Sequence, residues 1–267
     1  MKIRALYFED VGPLSSQSID LLNDWDDQIE SRTLLSGPNG CGKSTVLRTV
    51  AMLWEALGYW LDQRKALPRN HPAREWLQRW GGCAVVLSDA PKAGQLVGLI
   101  FGDLAWADAM RTKHADVAWL GEGIARTGKP GNPKREVFMP SEPWVQEWAE
   151  ARKKMILSFD KVNVPNVLFL DTEERRWVAA RRNVGEHTAE LPGRRWLPRY
   201  QASEDWKDQL EASLITLKTT QLHKYHEVIR LLNTFFIGGQ LIITSHQPDI
   251  WQRYEASGKR IELGSAA

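Results

Sequence analysis

The residues with the plainest chemical purpose form one unbroken stretch, Thr33-Leu34-Leu35-Ser36-Gly37-Pro38-Asn39-Gly40-Cys41-Gly42-Lys43-Ser44-Thr45-Val46-Leu47. Positions 37 to 44 match G-x-x-x-x-G-K-[ST] without a gap. Glycines at 37, 40 and 42 allow backbone angles that turn successive N–H groups inward on a phosphate, and a helix N-terminus adds positive partial charge. Lys43 is placed to reach the β- and γ-phosphates of a nucleotide and the Ser44 hydroxyl to coordinate magnesium. ATP with Mg2+ is therefore the expected ligand. Gly37, Pro38, Asn39, Gly40, Cys41, Gly42, Lys43, Ser44 and Thr45 would hold it, with Ser44 on the metal. A Gly-rich turn with a chance lysine would need neither a strand before it nor a helix after it. Both are present: Leu34 and Leu35 end an apolar run, and Val46, Leu47, Val50, Ala51, Leu53, Trp54 and Leu57 recur at helical spacing.

Other residue groups carry weaker chemistry. Gly239-Gln240-Leu241-Ile242-Ile243-Thr244-Ser245-His246-Gln247-Pro248 reads as a buried strand with Ser-His-Gln-Pro at its C-terminal end, where open parallel sheets place ligands. From Arg175 to Arg199 there are seven arginines and two acids, with Trp177 and Trp196 interleaved. Arg175, Arg176, Arg181, Arg182, Arg194 and Arg195 thus offer a surface for a nucleic-acid backbone; a solvated face and an arginine cluster aimed at nucleotide across a dimer interface are the alternatives. His223 and His226 share a helix face but lack a third ligand, so they read as surface residues. Cys41 offers an oxidation-sensitive thiol within the loop, or simply a small residue filling a tight turn.

The Pro-Asn-Gly-Cys-Gly-Lys-Ser-Thr loop, preceded by Lys2-Ile3-Arg4-Ala5-Leu6-Tyr7-Phe8-Glu9-Asp10-Val11-Gly12-Pro13-Leu14, resembles the start of ABC-type, SMC-like ATPases. That group includes recombination-repair proteins and ATPases of bacterial anti-phage defence. The resemblance implies an α/β P-loop NTPase head with an N-terminal antiparallel β flank, here Ile3 to Phe8 and Gln17 to Leu22. It implies ATP-driven dimerisation or higher homo-oligomerisation, and a switch histidine, His246, at the γ-phosphate or the attacking water. The nearest counterpart of its acidic strand is Val167-Leu168-Phe169-Leu170-Asp171-Thr172-Glu173-Glu174, read as a buried strand. Asp171 would hold the magnesium shell, and Glu173 or Glu174 would polarise water. In many relatives a similar strand precedes the signature region and is not the catalytic one, and that second assignment is preferred. The amphipathic stretches Trp206 to Leu217 and Gln221 to Phe236 resemble helices leading to a signature loop. The chain then passes directly from Ile237-Gly238-Gly239 to Gln240, without a signature loop or an Asp-Glu strand. Either a segment is missing between Gly239 and Gln240, or the head is degenerate and binds nucleotide without efficient hydrolysis.

Behind these residues stand the elements that must position them. Gly82 to Leu87 and Gln95 to Ile100 read as two further strands, and Pro140 to Lys154 as a helix carrying Trp144, Val145, Trp148 and Ala149. Between residues 102 and 137 the periodicity fades and Thr127 to Lys134 is turn-rich, so this stretch reads as an insertion in a single head domain spanning 1–267. Gly264-Ser265-Ala266-Ala267 reads as an appended tail. No heptads run long enough for a coiled coil. The 35 basic and 33 acidic residues nearly balance, so total charge argues for no particular partner. Two cysteines cannot build a disulfide framework, and no apolar run approaches a membrane span. A cytoplasmic ATPase subunit results, with no membrane partner. It would control an effector protein in anti-phage defence or, alternatively, act in DNA repair and chromosome maintenance or as a nucleotide-gated scaffold that does not hydrolyse.

Overall fold

Two β-sheets share one long helix in the computed structural model of the chain, which describes residues 1–125, 133–158, 162, 164–170, 196–197, 199–200, 217–227, 230, 239–245, 252 and 258–264. The class is α/β, with a mixed central sheet. The larger sheet has the order β2-β1-β4-β5-β6-β7. Its strands are β1 (Lys2–Glu9), β2 (Gln17–Asp20), β4 (Gly82–Ser88), β5 (Leu96–Asp103), β6 (Ala118–Ile124) and β7 (Arg135–Phe138). Only β5 and β6 run parallel, joined by helix α3 (Leu104–Lys113); every other pairing is antiparallel. The smaller sheet is wholly parallel, with β3 (Arg32–Ser36) between β10 (Leu241–Thr244) and β11 (Lys259–Glu262).

Side-chain alternation gives the larger sheet two covered faces. Ile3, Leu6 and Phe8 of β1, Cys83, Val85 and Leu87 of β4, and Val97, Leu99 and Phe101 of β5 join the main core. Ala84, Val86, Ile100 and Trp119 point the other way, onto Ala107 and Met110 of α3. Ile3 sits three residues before Leu6, which strict alternation would place on opposite faces. A bulge between Ile3 and Ala5 resolves the conflict, because one extra residue returns Ile3 to the core side.

The shared helix is α1 (Lys43–Gln63), whose Val46, Val50, Leu53, Trp54, Leu57, Trp60 and Leu61 are buried. It contacts strands of both sheets and the helices α2 (Pro72–Leu77) and α4 (Pro143–Leu157). Trp54 and Trp196 stack at 4.7 Å and exchange hydrogen bonds, each indole N–H donating to the other's backbone carbonyl at 2.9 and 2.8 Å. Among the described residues Trp54, Trp60, Trp119, Trp144, Trp148 and Trp196 are all buried, where their large rings fill the core. A second tie joins the sheets. The Gln240 side-chain amide accepts from Ile3 N at 2.6 Å and donates to the carbonyls of Ile3 and Glu30 at 2.9 and 3.1 Å.

Residues 102–137, read as an insertion, end β5 and carry α3, β6 and β7, which join the sheet or its cover. The signal is faint because β6, Ala-Trp-Leu-Gly-Glu-Gly-Ile, holds two glycines and a charge. Its fit comes from tertiary contact, with the Trp119 indole seated against Gly98. The apolar run at Val167–Leu170, read as a buried strand, departs from that expectation. Only Phe169–Leu170 form a strand, β8, paired with β9 (Arg199–Tyr200) apart from the β10-β3-β11 sheet, and Leu168 is 49% exposed.

Candidate functional site

The glycine-rich loop at 37–44 connects β3 to α1, the arrangement the motif demands. Thr33, Leu34, Leu35 and Ser36 are buried in the middle strand, and the chain turns at Gly37 into a loop whose Pro38, Asn39 and Gly40 are exposed. Gly37, Gly40 and Gly42 have φ of 136°, 84° and 101°, a region closed to most side-chain-bearing residues. Gly42 also caps α1, receiving the Val46 N–H on its carbonyl at 2.9 Å. No acid occupies the first turn of α1, so its positive end is unopposed there.

Lys43 arches back over the loop. Its ammonium donates to the carbonyls of Gly37 and Pro38, each at 2.7 Å, and approaches Cys41 Sγ at 3.5 Å. A cation is thereby fixed above the turn formed by the glycines. Ser44 lies exposed on the first turn of α1 and Thr45 is half-buried beside it. Among the described residues no group of three His, Cys, Asp or Glu side chains could hold a metal. Of the described loop residues, Ser44 offers the hydroxyl a divalent cation could use beside phosphate oxygens, and oxygen ligands of this kind suit Mg2+.

Both flanking strands end beside the loop. The N–H of Ser245, just beyond β10, donates to Leu35 O at 3.1 Å, and that of Leu263, just beyond β11, to Ser36 O at 2.9 Å. His246 follows Ser245 directly in the chain and lies outside the described residues, as do Asp171, Glu173, Glu174 and the arginines 175, 176, 181, 182, 194 and 195. His223 and His226 are exposed on a helical turn.

Three site residues carried no sequence signal. Arg260 on β11 donates from Nε to the Ser36 hydroxyl at 2.9 Å, clamping the last residue before the loop. Leu263 is fully buried, and its carbonyl lies 2.3 Å from where a Gly37 Cβ would stand. Gly264, read from sequence as tail, packs against Cys41, since a Cβ there would stand 2.8 Å from Cys41 Cβ. The alternation of Lys-Arg-Ile-Glu-Leu marks a strand at 259–263, but nothing local indicates that it lies beside the loop.

The electrostatics away from the loop are structural. Glu122, fully buried on β6, accepts the Leu67 N–H at 2.9 Å and pairs with Arg135; burial pushes its carboxyl up, while the N–H and the guanidinium oppose that. Burial pushes the Cys83 thiol beyond the physiological range, which leaves it inert. No helix among the described residues is long and apolar enough to cross a membrane. No protein-family model matches this sequence, and neither does any curated protein.

Proposed function

We propose that the chain is a P-loop ATPase head of the ABC or SMC-like type, binding ATP with Mg2+ at Gly37–Thr45. One observation carries the reading: three left-handed glycines and a lysine ammonium surround one exposed turn between a buried strand and an acid-free helix N-terminus. That combination suits a polyphosphate, because backbone N–H groups, the helix end and Lys43 would all favour negative charge at one place. A bound phosphate would draw the Lys43 ammonium from the loop carbonyls onto its own oxygens. Mg2+ would supply charge neutralisation, with Ser44 as its protein ligand.

Hydrolysis is assigned to His246 and a carboxylate, with Asp171 and Glu173 as candidates. The β10 register supports the histidine, because Ser245 beside Leu35 brings the chain to the loop one residue earlier. The position of β8 outside the β10-β3-β11 sheet favours reading Val167–Leu170 as something other than the catalytic strand. In this reading ATP joins two heads, and their association controls an effector protein within a bacterial anti-phage defence system. DNA-stimulated turnover would favour a repair role instead, and binding without turnover a nucleotide-gated scaffold.

Titration of a fluorescent ATP analogue into wild type and Lys43→Ala tests the central point. We expect at least about a hundredfold loss of affinity, from losing a charge-assisted contact and its positioning. Equal affinity in both proteins would end the assignment.

A further inference from the structure

The geometry points to a second site, a surface at the C-terminal end of α1 that grips a nucleic-acid backbone through the exposed Lys65, Arg69 and Lys134, with Arg74 and Arg135 tying the segments that carry them together. From Gln63 to Arg74 the chain carries Arg64, Lys65, Arg69 and Arg74 and no acid. Folding then brings the start of β7 onto this loop. Arg135 and Arg74 each donate a guanidinium N–H to the same carbonyl, that of Leu67, at 2.7 and 3.2 Å. Like charges are thus crowded around one peptide group. The effect reaches Arg74, whose guanidinium is pushed down first by burial and then by the charges of Arg135 and Arg69, against the pull of Glu122.

Glu122 is buried and committed to the Leu67 N–H and to Arg135, while Glu75, the acid next to Arg74, pairs with Arg79. Lys65, Arg69 and Lys134 are exposed, and none of them enters an ion pair among the described residues. Arg64, the next residue along, is turned away toward Gln146 at 2.8 Å. A surface of this kind favours a polyanion, because each phosphate contact releases condensed counterions and no base need be read. An anionic lipid surface fits less well. Among the described residues none of the exposed large apolar side chains, Trp25, Leu157, Leu168 and Leu222, belongs to the cluster, whereas interfacial binding draws on apolar insertion.

The site is independent of the nucleotide reading. α1 spans 21 residues between Lys43 at the phosphate loop and Gln63 at this surface. At 1.5 Å per residue that is about 30 Å, so a polymer held here would not occupy the loop.

The test is anisotropy of a labelled duplex of about 30 base pairs, without nucleotide and across a salt series, with the full chain. The proteins are wild type, the triple variant Lys65→Ala, Arg69→Ala, Lys134→Ala, and the comparison variant Arg175→Ala, Arg176→Ala, Arg181→Ala, Arg182→Ala. Because the three side chains are exposed, the triple variant should fold, as circular dichroism would verify. We expect it to bind about tenfold or more weakly, with the slope of log K against log salt reduced by about 3. Three results would each overturn the proposal: no duplex binding by wild type, loss confined to the comparison variant, or binding only to phosphatidylserine vesicles. Binding of the ATP analogue by the triple variant, and of duplex by Lys43→Ala, separates failure here from failure of the ATPase reading.

Discussion

Gly37 and Gly40 look alike in sequence and differ in what surrounds them. Both have positive φ, but a Cβ at Gly37 would fall 2.3 Å from the Leu263 carbonyl oxygen and 2.9 Å from Cys41 Sγ, while a Cβ at Gly40 would meet nothing within 4 Å. Gly40→Ala should therefore cost only the backbone term, about 1 kcal/mol. Gly37→Ala must also push back the chain after β11, raising the cost to about 2–4 kcal/mol, and should lower ATP affinity by deforming the loop. Urea unfolding of both variants checks this; equal losses would mean that the 259–264 segment does not brace the loop. The motif reveals the glycines as a class. Which of them is indispensable depends on a contact made more than two hundred residues along the chain.

Helix α2 shows how an element acquires a pH response. Its cap is His71, whose Nδ1 accepts the Ala73 N–H at 3.3 Å, ahead of Pro72 at the first helical position. Only the neutral imidazole can accept, and burial lowers the His71 pKa, with Glu55 pulling the other way; the ring also meets Tyr59 edge-on at 5.4 Å. The sign follows: the unfolded chain takes up the proton first, so this contribution is complete above about 6.5, the ordinary histidine value, and is lost as pH falls through the lowered one. His114, also lowered by burial and by Lys113, acts in the same direction. Thermal melts between pH 7.5 and 5 should show falling stability. His71→Asn, a cap that does not titrate, should flatten part of that fall; an unchanged slope would remove His71 from the account. The strands differ in legibility for a related reason. β4 and β5 are plain in sequence because every residue from Gly82 to Leu87 and from Val97 to Gly102 is buried and most are apolar. β6 is hidden because Glu122 and its flanking glycines serve packing and ion-pair partners that exist only after folding. At Val167–Leu170 an apolar run suggests a buried strand, but burial of such a run depends on neighbours that its own residues do not specify.

Across the whole molecule, α1 and Gln240 hold the two sheets as one body. Gln240 serves β1 and the chain before β3 through three hydrogen bonds that resemble a strand pairing made by a side chain. Gln240→Leu keeps the size but leaves Ile3 N–H and two carbonyls without partners, so we expect a loss of about 2 kcal/mol in chemical unfolding. A loss below about 0.5 kcal/mol, the ordinary surface range, would show that the junction does not depend on it. What the sequence by itself determined is local: the glycine-rich loop and the periodic helix after it, the N-terminal hairpin, the apolar strands, and the alternation that decides which faces are covered. These depend on residue type and spacing within a window of about 15 residues, where propensity and periodicity act. The tertiary structure alone decided the rest: β10 and β11 on either side of β3, Arg260 on Ser36, Gly264 against Cys41, and a basic surface gathered from residues 65–74 and 134–135. Those pairings join segments far apart in the chain. Their free energy comes from burying shared surface and satisfying backbone groups together, which no single segment encodes.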